Sequence, residues 1–414
     1  MGAPAGTATA TVTRWSRLFV ATGVGFFVAW HLAALAGYPR SATVVLGVNG
    51  FVLHVVFGKA YALIPSYFAR ELAVPTAAVL HLPLAALGTV GAFLGAAGVG
   101  PAVLEAAGLT LWLGGCLVFV GVLGWTISDN PTGDETGTGS ANAERRPIDR
   151  IANAAVPFVL AYLLAGSSLA LVGVLGLEGG FPAFVPAGPG VTHLLAAGTA
   201  ALLVFAVGFR LLPRLLVVSP SRPLVVTVLA TGVMGPALLA ADLHGDWLFR
   251  AGATLQATAL AGFGTAYGDM FRRSDRPRVG GRTVLVAAAF AVLAALLGLS
   301  FALGPALGSG AAAFDAHYRL AVGGFLGLTI VGVTYYFYPP GIATSRFVDD
   351  RTAGAAAAAL AVGLVLEACG LLLGAGGSGT LLALAVPLGR TLSTVGAVMY
   401  ATVVGTVFLE RGLT

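Results

Sequence analysis

Four of the six histidines, His31, His193, His244 and His317, fall at ends of long apolar runs that a membrane would bring to one surface. Imidazole is the commonest transition-metal ligand and a usual axial ligand of haem, so convergence of these rings would make a metal or haem site. The same placement also suits histidines that only hydrogen-bond at helix ends. His193, His244 and His31 are the metal-ligand candidates, and His317, His193 and His54 the cofactor-binding ones. Asp242, His244 and Asp246, in "ADLHGDW", could hold a cation or form a solvated loop. His81, beside Pro83, reads as a packing donor. Cys116 and Cys369 lie inside apolar runs without CxxC spacing and read as helix-packing residues.

Charge inside a membrane is a second source of candidates, because an unpaired ion there is costly and tends to mark a site. "NGFVLHVVFGKAYALIP", residues 49–65, holds the only lysine of the chain, Lys59, with Asn49, His54 and Tyr61 on the same run. His54 and Lys59 are five residues apart, roughly 140° around a helix, so they do not share a narrow face. The other intramembrane charge is Glu367. Lys59 falls about two thirds of the way inward along its run and Glu367 about two thirds outward along its own, which argues against a direct pair. Lys59 could line a polar pathway or snorkel to the interface along its apolar stem.

The elements that must position these residues follow from composition. With 57% apolar and 9% charged residues and a mean hydropathy of +0.92, against about 25% charged in soluble domains, the chain is expected to be an all-α polytopic membrane protein. Its net charge of +5 is dispersed in short loops, which argues against nucleic acid. Twelve runs are long enough to span a bilayer: residues 18–36, 43–66, 76–97, 103–127, 151–175, 191–212, 222–241, 250–270, 283–304, 315–338, 354–374 and 380–408. Arg14 and Arg17 ahead of "LAALAG" imitate a signal peptide, but the topology works better if that run is retained. The polar segment 128–150 reads as a flexible cytoplasmic linker. With Lys59 set aside and the N-terminus inside, Arg40, Arg250, Arg319 and Arg390 fall outside and the other 17 arginines inside. That excess predicts a multi-pass protein of the cell membrane with both termini cytoplasmic.

An internal triplication is also expected. The fourth, eighth and twelfth runs contain "GLTLWLGGCLVFVGVLG", "GATLQATALAGFGTAYG" and "GRTLSTVGAVMYATVVG". They share Gly108, Gly252 and Gly389, then Thr110, Thr254 and Thr391, then Leu111, Leu255 and Leu392. An aromatic follows at a common offset (Phe119, Phe263, Tyr400), and Gly124, Gly268 and Gly405 close the match. In the second and tenth runs Gly58, Tyr61 and Pro65 match Gly332, Tyr335 and Pro339. A single membrane domain is expected, with repeats at about 14–130, 148–273 and 280–412 related by a pseudo-threefold axis along the membrane normal.

Twelve helices in three arcs of four, with histidines opening even-numbered runs, resemble subunit I of the haem-copper oxidases and nitric oxide reductases. The resemblance rests mainly on "THLLAAGTAALLVFAVGFRLLPRL" and "AHYRLAVGGFLGLTIVGVTYYFYPP". It implies haem and copper as cofactors, with His317 as a haem ligand of the tenth helix and His193 as the copper ligand of the sixth. The chain departs from that pattern at four places. Asp315 stands where a second histidine is expected, the seventh run has no histidine pair, no tyrosine follows His193 at the cross-linking spacing, and Thr43 aligns with His317. The resemblance therefore implies a divergent member binding haem or a metal near the outer face, for electron transfer or O2 and NO chemistry with a separate redox partner. The alternatives are a cofactor-free transporter or channel using Lys59, His54 and Glu367, and a structural or assembly subunit.

Overall fold

A bilayer core leaves backbone amides nothing to bond to except their own helix, so an apolar chain of this length is restricted to helices. A computed structural model describes residues 5–177, 186, 188–243, 245–276, 278–304, 310–374 and 380–411, and contains no strand among them. The long helices are α1 (Ala5–Leu35), α2 (Arg40–Tyr67), α3 (Ala78–Ala96), α4 (Val103–Thr126), α5 (Val156–Val174) and α6 (Pro189–Leu216). They continue with α7 (Arg222–Ala241), α8 (Trp247–Arg272), α9 (Val279–Leu303), α10 (residues 311–337), α11 (Asp350–Gly374) and α12 (Thr380–Arg411). Among the described residues, eleven helices are long and apolar enough to cross a membrane. α8 is as long as the others, at 26 residues, but Gln256, Thr254, Thr258, Thr265 and Asp269 dilute its hydropathy. The chain is an all-α polytopic membrane protein. Below, the face on which α1 begins is called the basic face and the other the opposite face.

Burial sorts the helices into two shells. In α2, α6 and α10, 83%, 72% and 78% of the most apolar window is buried, against 50% or less elsewhere, so these three form the inner ring. The outer helices turn side chains such as Leu87 and Leu117 outward, where lipid would meet them. All three inner helices also widen into π-helix near the opposite face, at Val45–Leu53, Leu194–Ala201 and Arg319–Gly327. The π stretches open at Val45, Leu194 and Arg319, and Pro65, Pro213 and Pro339 follow twenty, nineteen and twenty residues later. π turns are rare inside α-helices and occur frequently at functional sites.

Small residues let neighbouring outer helices approach closely. A Cβ on Gly252 would lie 2.5 Å from the Leu239 amide nitrogen of α7, and one on Gly389 2.5 Å from the Glu367 amide nitrogen of α11. Gly108 meets the backbone of Ala92 in α3 in the same way. By contrast, Gly124, Gly268 and Gly405 each face open space. Phe119, Phe263 and Tyr400 are all buried, and Thr110, Thr254 and Thr391 all bond to the carbonyl four residues back. Gly252→Val is expected to abolish the folded, monodisperse protein in detergent chromatography while Gly268→Ala leaves it intact; equal yields from both would refute the close-packing account.

The segment 128–150 hydrogen-bonds to the basic ends of α2 and α6. Asn130 Nδ2 donates to the carbonyls of Phe68 at 3.1 Å and Glu135 at 2.8 Å, and Thr138 donates to Asp149. Asp149, 1% exposed, also receives Arg214 at 2.6 Å. Arg210 donates to the Tyr67 carbonyl at 2.8 Å and to Asn153, and its guanidinium lies 4.0 Å over the Tyr67 ring. Gly133 has a φ of 70°, a left-handed turn that favours glycine.

At the segment's surface Arg70 bonds Asp129 at 2.9 Å and Glu135 at 2.6 Å. The hydrogen bond from Arg70 holds the Asp129 carboxyl below its ordinary value. A depressed carboxylate contributes at neutral pH and loses that contribution as pH falls through its folded-state value. Amide-exchange protection of residues 128–139, corrected for intrinsic rates, should therefore hold down to about pH 4 and drop between about pH 4 and about pH 2. Protection unchanged over that interval would show that the ion pair does not hold the segment.

Candidate functional site

Between the three π stretches lies a cavity of about 790 Å3. It reaches the opposite-face ends of the inner helices at Arg40, Pro189 and Phe314, and its deeper wall includes Val48 of α2, Ala197 of α6 and Phe325 of α10. Most of the lining is aliphatic or aromatic. Polar side chains interrupt it at Ser41, Asn49, Glu105, Thr192, His193, Gln256, His317 and Tyr318. Gln256 Oε1 is buried and accepts no hydrogen bond. A largely apolar hollow of a few hundred Å3 with a few convergent polar groups is the usual form of a cofactor or small-molecule site.

The two histidines enter this cavity from different helices. His193 closes the short α segment before the π stretch of α6, and its Nδ1 lies 2.8 Å from the carbonyl oxygen of Pro189. A carbonyl only accepts, so Nδ1 carries the proton and the lone pair of a neutral ring resides on Nε2. Such a second bond is what fixes the ring of a ligating histidine. His317 sits two residues before the π stretch of α10, its ring against Phe301 at 5.7 Å and its Nδ1 buried without a partner. Gly298 of α9 makes room for it, since a Cβ there would come within 2.9 Å of His317 Cε1. These residues fit a planar apolar group such as haem, which needs apolar walls and imidazole nitrogen. They do not fit a multi-ligand copper centre: among the described residues no three of His, Cys, Asp and Glu come together.

Behind the π stretch of α10 lies a buried ionic cluster. Arg319 Nε donates to Glu367 Oε2 at 2.8 Å, and Arg390 Nε donates to Glu367 Oε1 at 2.8 Å. Arg319 Nη2 reaches His31 Nδ1 at 3.4 Å, and its guanidinium stacks 4.4 Å over Trp30. The cluster joins α1, α10, α11 and α12. Counting Arg319 and Arg390 as outer loop residues missed it, although both lie inside apolar runs, which was the available signal.

The remaining candidates occupy three further places. Asn49 lines the cavity, whereas His54, five residues on, does not. His54 Nδ1 bonds the Asn49 carbonyl at 2.8 Å, and its ring is enclosed by Phe26, Phe19 and Trp112. Tyr61 bonds His81 Nδ1 at 3.0 Å in the same aromatic packing. Lys59 Nζ donates to Tyr338 at 2.7 Å and lies 4.3 Å over the rings of Phe337 and Tyr338. Tyr338 and Arg319 are nineteen residues apart on one chain segment, roughly 28 Å of ideal helix. Lys59 and Glu367 are thus bound at opposite ends of α10, as their depths along the runs require.

The structure brings His193 and His317 to one cavity and separates His31 from them. His31 is 1% exposed and engaged by Arg319, so the metal set of His31, His193 and His244 does not assemble among the described residues. His244 lies outside them.

No protein-family model matches this chain, and no curated protein matches it. Among the solved structures that do match is a heme-copper terminal oxidase dimer determined by cryo-electron microscopy. It aligns over 97% of this chain and 83% of that chain, with 12% sequence identity and a TM-score of 0.46.

Removing one partner of a buried ion pair strands the other charge, at a cost of about 3–5 kcal/mol. Glu367→Gln leaves Arg319, whose side chain is 4% exposed, without a counter-charge. The variant is expected to unfold far below the wild type in detergent, and wild-type thermal stability would contradict the assigned pairing.

Proposed function

We propose that the chain is a cofactor-binding membrane protein that holds a haem in the cavity between α2, α6 and α10. The observation that carries this reading is the entry of two histidines, from different inner helices, into one largely apolar cavity. His317 and His193 would hold the haem through imidazole nitrogen, and Asn49 and Gln256 would meet its polar groups. When bound, a haem would supply one-electron chemistry at a potential set by its ligands and its dry surroundings. The residues of the chain orient the imidazoles, through the Pro189 carbonyl for His193 and the space left by Gly298 for His317, and the aliphatic walls exclude water.

The reading also takes the chain as three units of four helices with both termini on the cytoplasmic side of the cell membrane, in accord with the arginine count. An electron donor or acceptor would then be a separate protein approaching the opposite face. A transport pathway through Lys59, His54 and Glu367 has less support, since each already has its own partner in a different part of the bundle.

Protein purified from haem-replete cells should show a Soret band. His317→Ala or His193→Ala should shift or remove the band while leaving the chromatographic profile unchanged. A colourless preparation that also fails to bind added haemin would overturn the proposal.

A further inference from the structure

On the basic face, the loop between α6 and α7 and the loop that follows α8 lie side by side. Arg273 Nη2 donates to the Ser219 carbonyl at 3.0 Å, and Ser274 Oγ donates to the Leu216 carbonyl at 2.8 Å. Six arginines surround this junction, Arg222, Arg272, Arg273, Arg276, Arg278 and Arg282, and all are exposed. Only two carboxylates accompany them, Asp269 and Asp275, so the corner keeps a surplus of four positive charges. Asp269 is already shared by Arg272 and Arg273, and among the described residues Arg222, Arg276, Arg278 and Arg282 form no ion pair. Elsewhere on this face the chain supplies its own counter-charges, Asp129 and Glu135 for Arg70 and Asp149 for Arg214.

The place of the corner along the bundle names the class of partner. Arg272 ends α8, Arg222 opens α7, and Arg282 lies one turn inside α9. These side chains therefore stand where the apolar spans give way to lipid headgroups, and an arginine one turn inside a span can extend its stem to that layer. Beside them, at the end of α6, Val217 is 58% exposed. An apolar side chain left uncovered among arginines fits the boundary between acyl chains and headgroups better than it fits a soluble polyanion.

We infer that this corner is a docking surface for anionic phospholipid of the adjacent leaflet. Its arginines hold the phosphodiester headgroups, and the acyl chains stay in the bilayer next to Val217. Clusters of basic residues at the end of a membrane span attract anionic headgroups in this way, and a guanidinium matches the oxygens of a phosphate through paired N–H donors. A zwitterionic lipid brings no net charge and leaves the surplus uncompensated. The surface lies on the face away from the cavity mouth and stands whether or not the cavity holds a haem.

Full-length protein, stripped of lipid in a neutral detergent, should be titrated with phosphatidylglycerol, phosphatidylcholine or inorganic phosphate at constant ionic strength. Phosphatidylglycerol is expected to raise the unfolding temperature in a saturable way and the other two are not, because a ligand bound only by the folded state stabilises it. The combined variant Arg276→Gln, Arg278→Gln and Arg282→Gln should lose most of that rise, whereas Arg250→Gln, at the opposite face, should keep it. An equal rise with phosphatidylcholine, a rise with phosphate alone, or a full rise in the combined variant would overturn the inference. Should the combined variant fail to fold, a phosphatidylglycerol with a photoreactive headgroup gives an independent reading on the wild type. Cross-links are expected within residues 217–222 and 272–282, and cross-links confined to other segments would count against the docking surface.

Discussion

Glu367 has no water to solvate it, and the surrounding architecture follows from how the chain meets that condition. Its two oxygens fix Arg319 on α10 and Arg390 on α12, and Arg319 in turn reaches His31 and Trp30 on α1. Four helices are thereby held in register at one depth. Arg319 is also the first residue of the π stretch of α10, with His317 two positions earlier. Pinning the helix at that point determines which way the widened turn faces, and the face turned away from the cluster, from Ala321 to Leu326, lines the cavity. Buried ion pairs add little net stability over apolar packing. Their value lies in permitting one arrangement, because sliding α10 by a turn would strand a charge in lipid.

Packing completes what the ion pairs begin. The outer helices associate in adjacent pairs, α3 with α4, α7 with α8 and α11 with α12, and each has glycine where the backbones come closest, at Gly108, Gly252 and Gly389. Between apolar side chains in lipid, close backbone approach is a main source of cohesion. The inner ring is built on a different principle. There the π stretches replace tight α packing with wider turns, and aromatic side chains such as Phe27, Phe51 and Phe325 fill part of the space. What they leave unfilled is the cavity, so the hollow results from the inner ring being wider than its side chains can close.

Several of these features are legible in the amino-acid order. The run 222–241 coincides with α7, and 103–127 with α4 to within a residue. α1 begins at Ala5, well before its apolar run, because the threonine-rich start continues the helix without contributing hydropathy. The glycines, threonines and aromatics common to the fourth, eighth and twelfth runs have matching surroundings, and His193 with His317 reach one cavity. The π stretches "VLGVNGFVL", "LLAAGTAA" and "RLAVGGFLG" carry two, one and three glycines, a residue that weakens α-helix, but a count of apolar span length does not register where a helix widens. Arg319 and Arg390 were assigned to an outer surface by a count that records only which side a charge is nearer, not whether a carboxylate on the next helix faces it. The bonds that segment 128–150 makes to Phe68, Tyr67 and Arg214 join it to residues that no local window contains.

The two faces are therefore unlike each other. On the basic face, segment 128–150 bonds across the ends of α2 and α6, its Asp149 is buried against Arg210 and Arg214, and Lys59 is held against Tyr338. On the opposite face the same helices diverge into the cavity, and Arg390 leaves the ionic cluster partly exposed. A group entering from the basic side would have to break several charged hydrogen bonds, each stronger than a neutral one. Entry from the opposite side meets aliphatic walls and the rim residues Arg40 and Pro189. The energetic asymmetry favours the opposite face for any group that enters the cavity, and the basic face is the bonded base on which the inner ring stands.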